Sequence, residues 1–187
     1  MQALTAYFYF DFKDKGKQDV RALLSSFLVQ LSDQYDPFFD ILLTSYSTHH
    51  RGSQQPCDQA LIQCLENMLK IPGRVLIHLI VDALDECPNM IGVPSSRDEV
   101  LALVEKLVKL DLSNLHLLIT SRPEIDIRSS LEPLTPNHIS LHDQVGQKRD
   151  IAEYVSSVVR SDKNMWRWRD EDRHLVIETL SDKADGM

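Results

Sequence analysis

The stretch Arg74-Val75-Leu76-Ile77-His78-Leu79-Ile80-Val81-Asp82-Ala83-Leu84-Asp85-Glu86-Cys87 decides the fold. From Val75 to Val81 every residue except His78 is apolar. A short apolar run without alternation reads as a strand buried on both faces, as inside a parallel sheet. The run stops on Asp82, and Asp85 and Glu86 follow it. Carboxylates so placed stand at the carboxyl end of a strand, where open α/β sheets bind ligands. Grouped there, they suit a magnesium ion, which takes hard oxygen ligands and keeps several waters and substrate phosphates. Taken alone, the stretch equally describes a strand followed by a solvated acidic turn.

A second apolar run, Leu115 to Thr120, ends in Thr120-Ser121-Arg122-Pro123. Between the two runs, Arg97 to Leu110 carries Val100, Leu101, Val104, Leu107 and Val108 at helical spacing. Strand, helix, strand is a right-handed crossover, so the two strands are expected to be parallel neighbours. Asp82 and Arg122 then leave the sheet at one edge. That sets an acidic metal site beside a guanidinium able to fork onto phosphate oxygens.

The pair of segments resembles a known family. Val81-Asp82-Ala83-Leu84-Asp85-Glu86 looks like the Walker B segment of NACHT-type signalling ATPases, and Leu118-Ile-Thr-Ser-Arg122-Pro is similar to their sensor 1 strand. Tyr7 to Lys15 and the closing Lys183-Ala-Asp-Gly-Met resemble the fungal branch of these proteins. The resemblance implies a three-layer α/β fold like that of P-loop NTPases, lacking its first, P-loop strand. It implies such a core over residues 1–143 and the start of a helical lobe over 144–187. By position, Asp82 would hold magnesium, directly or through water. Asp85 or Glu86 would orient or deprotonate the attacking water. Arg122 would sense the γ-phosphate of ATP, with Ser121 or Thr120 in support. In the whole family such a site switches a self-associating, cytoplasmic protein between ADP and ATP forms.

The phosphate cradle of that family, G-x-x-x-x-G-K-S/T after a strand, does not occur in this sequence. Gly16-Lys17 lacks both the first glycine and the hydroxyl residue. The resemblance therefore implies an interior piece of the module, inactive on its own. A non-catalytic interaction module that keeps the fold without nucleotide is the alternative. A carboxylate-metal nuclease or phosphatase shares the acids, but no basic groove is evident for a nucleic acid.

Bulk properties agree with a soluble domain. The 187 residues suffice for one substantial core, and 43% hydrophobic with 26% charged residues is ordinary. A net charge of -8 argues against a general binder of nucleic acid or anionic membrane. No apolar run approaches the roughly 20 residues that span a bilayer, and the first residues lack the pattern of a secretory signal. Cys57, Cys64 and Cys87 form no C-x-x-C pair. Cys57 and Cys64 on one helix would stand about 10 Å apart, too far for a disulfide. Reduced thiols in the cytosol follow, and the carboxylates near Cys87 disfavour its thiolate.

In chain order, Ala3 to Phe12 reads as an aromatic-rich strand and Gln18 to Ser32 as an amphipathic helix. Further helices are expected from Pro37 to about Tyr46 and from Asp58 to Leu69. Pro123 to Thr135 holds at most a short helix, and His138 to His142 alternates like a fourth strand. Lys148 to Val159 and Glu171 to Ala184 read as helices, with Trp166 and Trp168 docking them together. The expected strand order is Ala3–Phe12, Val75–Val81, Leu115–Thr120, with the fourth strand standing apart.

Overall fold

The computed structural model describes residues 3–49, 54–71, 75–90, 95–135, 137–140 and 145–183, the last segment without side chains for 145–148. The chain forms two compact units, Met1–Thr135 and Pro136–Met187.

The first unit is α/β. Its strands are β1 (Ala3–Tyr9), β2 (Leu76–Asp82) and β3 (Leu115–Ile119). They form a parallel sheet in the order β1-β2-β3, the expected order. Helices α1 (Val20–Gln34), α2 (Asp36–Thr48) and α3 (Asp58–Leu69) connect β1 to β2. Helix α4 (Ser96–Lys109) connects β2 to β3, and α5 (Ile125–Leu131) follows. Local chemistry sets the helix starts. Asp19 accepts from the Ala22 amide at the head of α1, and Ser95 and Asp98 form a reciprocal capping box on α4.

The sheet is buried on one face, and this corrects the reading of β2 as a doubly buried strand. In β2 Ile77, Leu79 and Val81 are buried, while Leu76, His78 and Ile80 are only partly so. The reason is topological. Both crossovers step across the sheet in the same direction, and right-handed connections that do so lay their helices on the same side. Accordingly α1 packs on β1, α2, α3 and α4. Leu4, Ala6 and Phe8 of β1 join Ile77, Leu79 and Val81 against Leu24, Phe27, Leu28, Leu65, Met68 and Val100 in one continuous core. Each of these side chains larger than alanine contributes about 1.5–3 kcal/mol through burial. The opposite face carries Tyr7, Ile80 and Leu118 in register, and Leu118 is 57% exposed.

The outer edge of β1 is covered by side chains. Gln30 of α1 donates to the Tyr7 carbonyl and accepts from the Tyr7 amide, and Gln34 does the same with Thr5. Among the described residues, no strand pairs with the outer side of β3. No strand forms at His138–Ser140, and Leu141 and His142 lie outside the described residues.

The second unit consists of α6 (Val145–Ser161) and α7 (Asp170–Lys183), which pack on each other. Trp166 and Trp168 do not dock these helices as expected. Both are largely exposed, and the Trp166 indole donates to the Arg160 carbonyl at the end of α6. Two helices alone bury little, and α7 has no buried residue among those described. No described helix is long and apolar enough to cross a membrane.

Glu66 of α3, 8% exposed, lies 2.6 Å from Lys106 of α4 and 2.8 Å from Lys70. Hydrogen bonding to Lys106 and Lys70 lowers its pKa in the fold. A lowered carboxylate stabilises fully above its unfolded pKa of about 4.3, and that stability is lost as pH falls through the folded value. Glu66→Gln is therefore expected to cost roughly 1–3 kcal/mol at pH 7. Urea unfolding at decreasing pH should show the gap to wild type closing below about pH 4.

Candidate functional site

The candidate site is built from the loops that leave β2 and β3 at their carboxyl ends. After Asp82 the chain enters the left-handed region at Ala83, with φ 54° and ψ 47°. A small side chain tolerates that conformation best after glycine and asparagine, whereas a branched one clashes. This turn leaves Asp82 exposed and sends Leu84 fully into the core. A single 3-10 turn, Leu84–Glu86, then carries the other two acids.

Thr120 joins the two strand ends. Its amide donates to the Val81 carbonyl and its carbonyl accepts from the Leu84 amide, at 2.9 and 3.0 Å. Its hydroxyl accepts from the Ala83 amide and donates to Asp82 Oδ1. Two residues on, the Arg122 amide donates to Asp85 Oδ1 at 3.0 Å, and Arg122 Nε stands 3.4 Å from Asp85 Oδ2. The Asp85 side chain is 9% exposed and that of Arg122 is 81% exposed, so the guanidinium reaches into solvent from a buried acid. Ser121 turns its hydroxyl onto the Arg122 carbonyl. Glu86 Oε2 accepts from the Phe12 amide, which ties the acidic turn to the end of β1.

The sequence-predicted residues are thus brought to one edge of the sheet, but the acids diverge. Asp82 meets Thr120, Asp85 meets Arg122 and Glu86 meets Phe12. Among the described residues no three His, Cys, Asp or Glu side chains could hold a metal ion together. Two open clefts flank Glu86. One, of about 380 Å³, lies between Tyr9–Lys13 and Asp82. The other, of about 600 Å³, is lined by Phe12, by Asp85 to Asn89 and by Arg122 and Glu124. Both volumes fall in the range of small-ligand sites.

Several nearby groups are already engaged. Lys17 hydrogen-bonds the Tyr9 hydroxyl and sits 3.7 Å from its ring centroid, and the Tyr9 bond raises its pKa. All three cysteines are free thiols. Burial, more than any neighbouring carboxylate, pushes the Cys87 thiol up to about 12. Its Sγ donates to the Gln18 carbonyl.

One central residue escaped the sequence reading. Arg97, in the first turn of α4, is 4% exposed. It donates to the carbonyls of Asp85 and Cys87 and to the carboxylates of Glu124 and Asp126. Burial opposes its charge, and its hydrogen bonds to Glu124 and Asp126 outweigh that, leaving its pKa raised. The available signal was a cation at a helix N-terminus, where the helix dipole disfavours it.

These features define an α/β protein whose acidic strand end and arginine-bearing loop meet at one sheet edge. The chain belongs to the nephrocystin 3, N-terminal family, whose model matches residues 1–122 and so spans all three strands and the loop through Arg122. Comparison with curated proteins and with solved structures finds no match.

Two substitutions test the construction of the site. Ala83→Val should lower stability by about 1–2 kcal/mol through the left-handed backbone, with Ala83→Gly close to neutral. Thermal unfolding of the two variants against wild type reads the difference.

Proposed function

We propose that this chain is part of a NACHT-type nucleotide switch, its acidic edge facing the phosphates of Mg-ATP or Mg-ADP. The observation that carries the reading is the meeting of Asp85 with the exposed Arg122 beside the Asp82–Thr120 pair. Asp82 is exposed and, with the Thr120 hydroxyl, offers hard oxygen donors. That small donor set fits magnesium, which is commonly held by one or two carboxylates with water and phosphate oxygens completing the shell. When bound, the ion would offset phosphate charge. In this reading Arg122 forks onto phosphate oxygens, with Ser121 and Thr120 shaping its loop. Of the two candidate acids, Asp85 is assigned to orient water, because it touches the sensing arginine while Glu86 is turned to Phe12.

The amides that would cradle the phosphates are not supplied by the described residues. A further strand and loop beside β3 would bring them, and among the described residues the sheet is unpaired on that side, since Gln30 and Gln34 occupy the other edge. In this reading the protein works in the cytosol and self-associates when ATP replaces ADP. The net charge of -8 supports a partner other than nucleic acid.

Nucleotide binding by the full-length protein tests the proposal. Mg-ATP is expected to bind, and Arg122→Ala or Asp82→Ala to weaken it at least tenfold. Asp85→Asn should slow phosphate release by on the order of 100-fold. This chain by itself is expected to release phosphate at the blank rate. A full-length protein that binds neither ATP nor ADP, with or without magnesium, would overturn the reading in favour of a non-catalytic interaction module.

A further inference from the structure

The acid and the arginine of the proposed site sit on separate loops, and each loop is tied to Arg97. On the β2 side, Arg97 Nε donates to the Cys87 carbonyl at 2.9 Å and one terminal nitrogen donates to the Asp85 carbonyl. On the β3 side, the other terminal nitrogen reaches Glu124 and, at 3.1 Å, Asp126. Asn89 repeats the link, donating to Asp126 at 2.8 Å. The Arg97 amide also donates to the Pro88 carbonyl. Three guanidinium nitrogens therefore serve four partners, Asp85 and Cys87 after β2, and Glu124 and Asp126 where the loop after β3 enters α5. Lysine, with donors on a single atom, cannot span them.

The support behind Arg97 is packed into the core. It stands on the first turn of α4, whose Val100, Leu101 and Leu107 are set in the core. Asp85 is consequently held at both ends, its carbonyl by Arg97 and its carboxylate by the Arg122 amide. Nothing about helix stability calls for a cation here, since it opposes the dipole of α4.

We propose that Arg97 is a positioning residue: it locks the loop after β2 to the loop after β3 so that the Asp85 carboxylate meets Arg122. Its effect on catalysis rests on the nucleotide reading above, but the lock itself is decided independently.

The test uses the Arg122 amide resonance of this chain. A donor to a carboxylate is shifted, and it moves as that carboxylate is protonated. Wild type should show this movement on acidification, and Asp85→Asn should abolish it. Arg97→Lys is expected to lose it as well, with the resonances of Leu79 and Val81 unchanged. Glu124→Ala with Asp126→Ala removes both acceptors and cuts the lock from its partly exposed side, the two side chains being 44% and 32% exposed. That double variant decides the matter if Arg97→Lys does not fold. In the full-length protein either variant should slow phosphate release roughly 10- to 100-fold at unchanged nucleotide affinity. An Arg122 resonance that titrates as in wild type in the double variant would overturn the proposal. Absence of nucleotide binding, with the resonance lost as expected, would instead overturn only the nucleotide reading and leave the lock standing.

Discussion

Two right-handed crossovers that advance across a sheet in one direction must lay their helices on the same side. In this chain β1 leads to β2 and β2 to β3 without a reversal. The helix layer, the single core and the one-sided burial of the strands follow from that step. So does the shape of the candidate site. Asp82 continues the uncovered face of β2, whereas Leu84, two residues later, is sealed in the core. The left-handed Ala83 is where the chain passes between the two. Asp82 and Thr120 then form the outward half of the site, and Asp85 is held from the helix layer by Arg97.

Charge is distributed unevenly across this edge. Arg97 is buried and its donors are taken by two carbonyls and two carboxylates. Lys17 is taken up by Tyr9. Arg122 keeps its guanidinium largely in water, where its pairing with Asp85 contributes little to stability. An anion that draws Arg122 away from Asp85 thus gives up a weak interaction. The same exchange releases a carboxylate that is 9% exposed and still fixed through its own carbonyl.

The parallel sheet was legible in the sequence because it is written in local patterns. Helical spacing between two apolar runs specified α4, and the runs specified β2 and β3. Their terminal residues then fell together by topology, which is why Asp82, Asp85, Glu86 and Arg122 could be expected at one edge, whereas Thr120 was singled out only through the family resemblance. The misreadings also have physical causes. Leu76 and Ile80 are apolar but only partly buried, so β2 mimics a strand covered on both sides. Trp166 and Trp168 are bulky, yet they sit in and just after a short 3-10 turn between the helices and stay 61% and 48% exposed. Arg97 was invisible for a different reason. Its partners Glu124 and Asp126 lie 27 and 29 residues away, and no periodic pattern encodes such a contact.

The glutamines of α1 show the same limit and explain why the two edges of the sheet differ. Residues four apart on a helix rise about 6 Å, and residues two apart on a strand about 6.6 Å. A helix running antiparallel to an edge strand can therefore set two glutamines opposite two outward-facing peptide groups. Gln30 meets Tyr7 and Gln34 meets Thr5, each amide both donating and accepting as a neighbouring strand would. Unpaired edges invite other strands, and proteins commonly blunt them with charge or bulges. Here neutral amides satisfy the edge itself, so β1 presents these peptide groups already bonded. Among the described residues, the sheet is left with one side, beyond β3, on which backbone pairing can continue. That side adjoins the loop bearing Arg122, so a strand added there would end beside the acidic edge.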